Sequence, residues 1–179
     1  MTFSDNYRTE KDTLGNIQVP KDAYYGAQTQ RAVENFQISG KRLPRSFIRA
    51  QGIIKASAAK VNMDLEILPS SIGKAIIQAA EEVIEGKWDD QFVIDVYQAG
   101  AGTSQNMNAN EVIANRATEL WTAKQNHKRI HPNDHVNNHQ STNDTFHSAM
   151  QIAAIETIVH KLLPSLKELH SELDRKATE

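Results

Sequence analysis

Ser141, Thr142, Asn143 and Asp144 stand together directly ahead of an apolar helical pattern at Phe146, Met150, Ile152 and Ala153. All four side chains accept hydrogen bonds from the free amides of a first helical turn, so a helix starts here. Its unpaired N–H groups and the positive end of its dipole favour an anion, and the Ser, Thr and Asn side chains add donors shaped to a planar carboxylate. The chemistry on offer is the binding of a small dicarboxylate. The same four residues also make an ordinary helix cap, and both readings stand.

A second polar cluster runs from Gly100 through Ala101, Gly102, Thr103, Ser104, Gln105 and Asn106 to Glu111, and leads into a helical pattern at Val112, Ile113, Ala117 and Leu120. Two glycines let a backbone approach a ligand closely, and Thr103, Ser104 and Asn106 supply uncharged donors. The plainer reading is a glycine-rich turn followed by an Asn-rich cap. The cluster lacks the third glycine of a dinucleotide fingerprint and the Lys-Ser/Thr pair of a phosphate-binding loop. His131, His135 and His139 recur at four-residue steps, which on a helix would align them like zinc ligands. Pro132 and the surrounding Asn residues argue against a continuous helix there, so no metal site is assigned.

These clusters must be held by a mainly helical chain. Phe47, Ala50, Ile53, Ile54, Ser57, Ala58 and Val61 form one amphipathic pattern; Ile72, Ala75, Ile76, Ala79, Ala80 and Val83 form a second that Gly86 ends. A third runs from Asn108 to Trp121. Extended pieces around Leu14, Gly15 and Asn16 give one small hairpin turn, Val93 to Tyr97 fits no single element, and Thr122 to Arg129 reads as a loop. From Ser141 onward apolar residues recur at three- and four-residue steps through Ile155, Val159, Leu162, Leu166, Leu169 and Leu173, interrupted by Pro164. No glycine stop precedes Glu179. Such a stripe needs a partner or is left exposed.

The 20 basic and 22 acidic residues give a formal charge of −2, which points to neither nucleic acid nor an anionic membrane as partner. Absence of cysteine removes disulfides and thiolate chemistry. No apolar run approaches the roughly 18 residues that span a bilayer, and Met1 to Glu10 are polar, so a cytoplasmic protein is expected.

Four ordered segments resemble the signatures of class II fumarases and aspartases. They are Tyr7 to Asp12 with Leu14-Gly15 and Val19-Pro20; Tyr25 to Phe36; Gly100 to Ser104 with Asn106 to Asn108 and Asn110 to Ala114; and His131 to Asp134 with Gln140 to Asp144. The likeness covers essentially the whole chain but only the N-terminal portion of a family member. It implies the N-terminal helical domain of the fumarase/aspartase fold with a small β hairpin (residues 1–139), then the first long helix of the central bundle (140–179).

The resemblance implies reversible anti addition of water to fumarate, giving malate through a carbanion-like aci-carboxylate, with no metal or organic cofactor. Ala101, Gly102, Thr103, Ser141, Thr142 and Asn143 then hold substrate carboxylates. Lys128, His131, Asn133 and Asp134 form a second dicarboxylate site near the entrance, with Arg129 adding charge. No catalytic residue is assigned, because the family's proton-handling motifs come later than Glu179. It further implies a homotetramer whose active sites draw on three subunits. Position 139 is usually small in the family and position 147 usually proline; both are histidine here, either perturbing the binding turn or simply facing solvent. Fumarate hydratase is the first reading, aspartate ammonia-lyase the second, and a non-catalytic, self-associating helical fragment the third.

Overall fold

The computed structural model describes residues 6–122 and 129–179. Strands β1 (Tyr7–Asp12) and β2 (Gly15–Pro20) pair antiparallel, with Tyr7 opposite Pro20 and Asp12 opposite Gly15. The turn falls where the sequence places it. Period-two alternation in β2 buries Ile17 and Val19 while Asn16 and Gln18 face solvent. Arg8 of β1 latches the hairpin to the chain that follows, donating to the carbonyls of Pro20, Lys21, Ala23 and Tyr25 at 2.6 to 3.0 Å.

Helix α1 (Ala27–Asn35) has no side-chain cap of its own. Its free amides are taken instead by a distant carboxylate: Glu111 accepts from Gly26 at 2.8 Å, Gln28 at 3.0 Å and Thr29 at 3.1 Å. A buried negative charge at a helix start is favoured by the dipole, so Glu111 holds α1 onto α4. Arg31 of α1 grips Asp12 with two bonds of 2.8 and 2.9 Å and keeps that carboxyl below its usual range.

Helices α2 (Arg45–Asp64) and α3 (Ser70–Glu85) pack against each other, and α3 ends at Gly86 in the left-handed conformation (φ +89°), the stop read from sequence. The apolar positions of α3 are the buried ones. Those of α2 divide: Phe47 and Ala50 are buried, Ile53, Ile54 and Ala58 partly so, and Ser57 and Val61 exposed, whereas Gln51, Lys55 and Asn62 are buried. These polar groups are tolerated inside because each has a partner, Gln51 accepting from Gln105 at 3.2 Å and Asn62 donating to the Asn138 carbonyl at 3.0 Å.

Helix α4 (Thr103–Thr122) runs through the centre, with Ala109, Val112, Ile113 and Ala117 fully buried against Ile76, Ala79 and Val83 of α3. It begins five residues before the start at Asn108 expected from sequence. Asn is a poor helix former, but tertiary bonds override that preference: Asn108 accepts from Val93 N at 3.0 Å and donates to Gln91 O at 2.9 Å. Helix α5 (Thr142–Thr157) sits on α2 through Phe146, Ala149 and Ala153 against Phe47 and Ala50.

Pro164 does not end the helical run. A wide π turn at Ile158–Leu162 precedes α6 (Leu163–Thr178), which carries Pro164 at its second position. The turn accommodates the missing N–H and gives the proline ring room against the carbonyl four residues back. Beyond Ala153 the apolar positions Ile155, Val159, Leu162, Leu166, Leu169 and Leu173 are all exposed.

Candidate functional site

The two polar clusters read from the sequence meet at the starts of α4 and α5. Gly102, at φ +87°, lies so close to Phe146 that a Cβ would come within 2.1 to 2.4 Å of three phenyl ring atoms. Thr145 Oγ1 of α5 lies 3.4 Å from Asn106 Oδ1 of α4 and also donates to the Ser141 carbonyl at 3.1 Å. Ser141 Oγ accepts from the Asn143 amide at 3.2 Å, so this serine is the helix cap that its position allowed. The side chains of Thr103, Thr142 and Asn143 make no hydrogen bond among the described residues, and Thr103 and Asn143 are exposed. Ala101 is half-buried beside them. The arrangement offers unengaged neutral donors at two abutting, positively polarised helix ends.

Beneath the junction lies a residue that no sequence motif marked. Lys55 is 1% exposed, and its Nζ donates to Asn106 Oδ1 at 2.8 Å, Asn137 Oδ1 at 3.0 Å and Gln140 Oε1 at 3.0 Å. A lysine inside an amphipathic helical pattern gives no signal of burial. What could have pointed here is the spacing Gln51, Lys55, Ala59, Asn62, a helical stripe of small and polar residues with no charge partner. Asn137 also accepts from Asn106 Nδ2 at 3.1 Å and donates to the Gln140 carbonyl at 3.1 Å, which closes the network.

Burial pushes the Lys55 ammonium from its ordinary value down to about 7. The unfolded chain keeps that proton up to about pH 10, so between those values it binds more protons than the native protein, and stability rises with pH. Raising the pH from 7 to 9 should therefore increase the urea midpoint of the chain, by up to about 1.4 kcal/mol per unit from this group. Tyr24 and Tyr25, both shifted upward chiefly by burial, oppose the trend only above their ordinary range. The Lys55→Met variant should lose the rise; a flat or falling wild-type profile would contradict the lowered titration of Lys55.

The residues assigned to a second dicarboxylate site divide. His131 and Asn133, with Arg129, line a cavity of about 390 Å³ between the Glu10–Thr13 end of the hairpin, Gly26 to Gln28 and Glu111. Asp134 does not line it; its amide donates to His131 Nδ1 at 3.1 Å, and its carboxylate lies 3.3 Å from the same atom. Lys128 lies outside the described residues. The four-residue histidine spacing does not put three rings on one helix face, because Pro132–Val136 forms a single wide turn in which His135 Nδ1 accepts from the His131 amide at 2.8 Å. His139 follows in a left-handed conformation (φ +56°) with its side chain exposed. His147 is exposed on α5, its ring edge-on to Phe146 at 6.2 Å.

Known proteins share this chain's sequence pattern and fold. The class II fumarate hydratase of Halobacterium salinarum is 54% identical over 98% of this chain, which covers 37% of that protein. An aspartate ammonia-lyase from a Bacillus species is 53% identical over 99% of the chain, covering 38% of its own length. The crystal structure of class II fumarase from Schistosoma mansoni matches with a TM-score of 0.90 at 39% identity, over 95% of this chain and 36% of that one. The chain thus spans little more than a third of the length of these relatives. The family described as Lyase matches residues 15–179, from the second strand of the hairpin through α6, and the chain belongs to that family.

Proposed function

We propose that this chain is the N-terminal, carboxylate-binding portion of a fumarate hydratase that interconverts fumarate and malate. The observation that carries the reading is the pair of abutting helix starts, where Thr103, Thr142 and Asn143 offer donors that no group among the described residues takes up. Ala101 and Gly102 bring the α4 backbone to the same place. These residues bind and orient a carboxylate and stabilise charge that develops on it; the proton transfers belong to groups supplied outside this chain. His131 and Asn133 with Arg129, and Lys128 and Asp134 by resemblance, form the second anion site. In this reading residues 1–139 are the helical domain, and 140–179 begin the central bundle of a homotetramer that works in the tricarboxylic acid cycle in the cytoplasm.

A chimaera tests this. Residues 1–179 replace the matching segment of the Halobacterium salinarum fumarate hydratase, and fumarate absorbance is followed with malate and with aspartate as substrates. Turnover of malate with little ammonia released from aspartate is expected. Ammonia release equal to or above malate turnover would favour the second reading, aspartate ammonia-lyase, which the 53% identity to the Bacillus enzyme supports.

The stripe from Ile155 to Leu173 is the part of the chain built for association. Its exposed leucines and isoleucines make a face of a kind that rarely stays in water. Light scattering of the 179-residue chain should give a mass above the 20.0 kDa monomer. Replacing Leu166 and Leu169 together with Glu should return it to one copy. A clean monomer of the unaltered chain would contradict the bundle assignment.

A further inference from the structure

Lys55 carries a positive charge into the middle of the fold, and each acceptor of its Nζ is a neutral amide oxygen. A buried ammonium without a counter-ion is strongly disfavoured. Among the described residues, ionisable groups of the surrounding elements do not supply one. Glu111 of α4 is occupied by the α1 amides, Glu82 of α3 by Arg116, and Glu156 of α5 by Arg49. Lys74, Glu81 and Glu85 of α3 lie at the surface, as do Asp144 and His147 of α5 and His139 of the preceding loop. His135 is bonded to the His131 amide. On α2 itself, Arg49 is paired as above and Lys60 pairs with Asp64 in solvent.

The three acceptors are the residues that place the two helix starts. Asn106 lies in the first turn of α4, three positions after Thr103, and Gln140 directly precedes the Ser141 cap of α5. Asn137 bridges them. Resting on the dicarboxylate reading of these turns, we infer that Lys55 is the positioning residue and buried counter-charge of the site. Its ammonium fixes the α4 start against the α5 start through Asn106, Asn137 and Gln140, and a bound dianion supplies the negative charge that no described residue brings to it.

Linkage gives this a quantitative form. A dianion that raises the Lys55 titration midpoint by about one unit must bind the protonated protein about tenfold more tightly than the neutral one. Between about pH 6.5 and 8.5, where malate stays doubly ionised, the affinity then falls about sixfold.

The test is calorimetric titration of the 179-residue chain and its Lys55→Gln variant with L-malate at those two pH values, with carbon NMR of the Lys55 side chain alongside. Wild type should weaken about sixfold at the higher pH. Lys55→Gln should bind about eightfold more weakly at the lower pH and lose that dependence; histidine titration is common to both proteins and cancels in the comparison. In the wild type malate should raise the Lys55 midpoint by about one unit, a reading that needs no variant to fold. Malate binding with an unmoved midpoint, or with the same affinity and pH profile in Lys55→Gln, would remove Lys55 from the site and leave the dicarboxylate reading standing. Failure of malate to bind the wild type at either pH would overturn that reading and the role of Lys55 with it.

Discussion

Replacing Asn143 with Ala in the chimaeric enzyme is expected to lower turnover of fumarate and malate by about 10²–10³-fold, the usual cost of removing one preorganised donor at a developing anion. Asn143 is exposed, its side chain has no hydrogen-bond partner among the described residues, and its amide is already held by Ser141. The fold therefore loses nothing with it, and thermal midpoint and helical content should be unchanged. The loss should fall mainly on kcat, because the contact orients the reacting carbon as charge builds up. Ser141→Ala makes the useful contrast. That hydroxyl caps α5, so its removal should cost about 1 kcal/mol of stability in addition to any effect on turnover. An Asn143→Ala enzyme with unaltered kinetic constants would show that the α5 start caps a helix and does nothing more.

Gly102→Ala is expected to be the most destabilising small substitution at the site. Its backbone sits at φ +87°, where a side chain costs about 1–2 kcal/mol, and the new methyl would collide with the ring of Phe146 at 2.1 to 2.4 Å. Phe146 cannot easily retreat, since Phe47 packs on its other side with ring centroids 4.8 Å apart. Forcing a methyl into a packed contact costs a further 1–3 kcal/mol or so, for a total of about 2–5 kcal/mol in urea denaturation. Gly100→Ala provides the control. Gly100 also has positive φ (+46°), but nothing lies within 4 Å of its added Cβ, so it should lose only about 1–2 kcal/mol. Equal losses at the two positions would mean that the α4 and α5 starts do not abut as described.

The hairpin, the register of α3 and the start of α5 were legible in the sequence because each has a local cause. Alternation places Ile17 and Val19 inward, Gly86 takes the left-handed cap, and Ser141 caps its own helix. What the sequence hides depends on contacts far apart in the chain. The start of α4 at Thr103 is stabilised by tertiary partners of its asparagines, which helix propensity cannot see. The buried face of α2 is likewise turned away from Val61 and toward Gln51, Lys55 and Asn62, because amides from α4 and the loop before α5 meet it. Glu111 was visible as part of a polar cluster, but its task as a cap for α1 joins residues more than 80 positions apart. The two helix starts could thus be found from residue types, whereas the groups beneath them could not.

The carboxylate site itself is tested most directly by titrating the nitrogen-15-labelled 179-residue chain with fumarate and following backbone amides. The account predicts saturable shifts centred on Thr103, Ser104, Thr142 and Asn143, at the two helix starts. Shifts confined to Arg129 to Asp134 and Gly26 to Gln28, around the other cavity, or none at any residue, would contradict it.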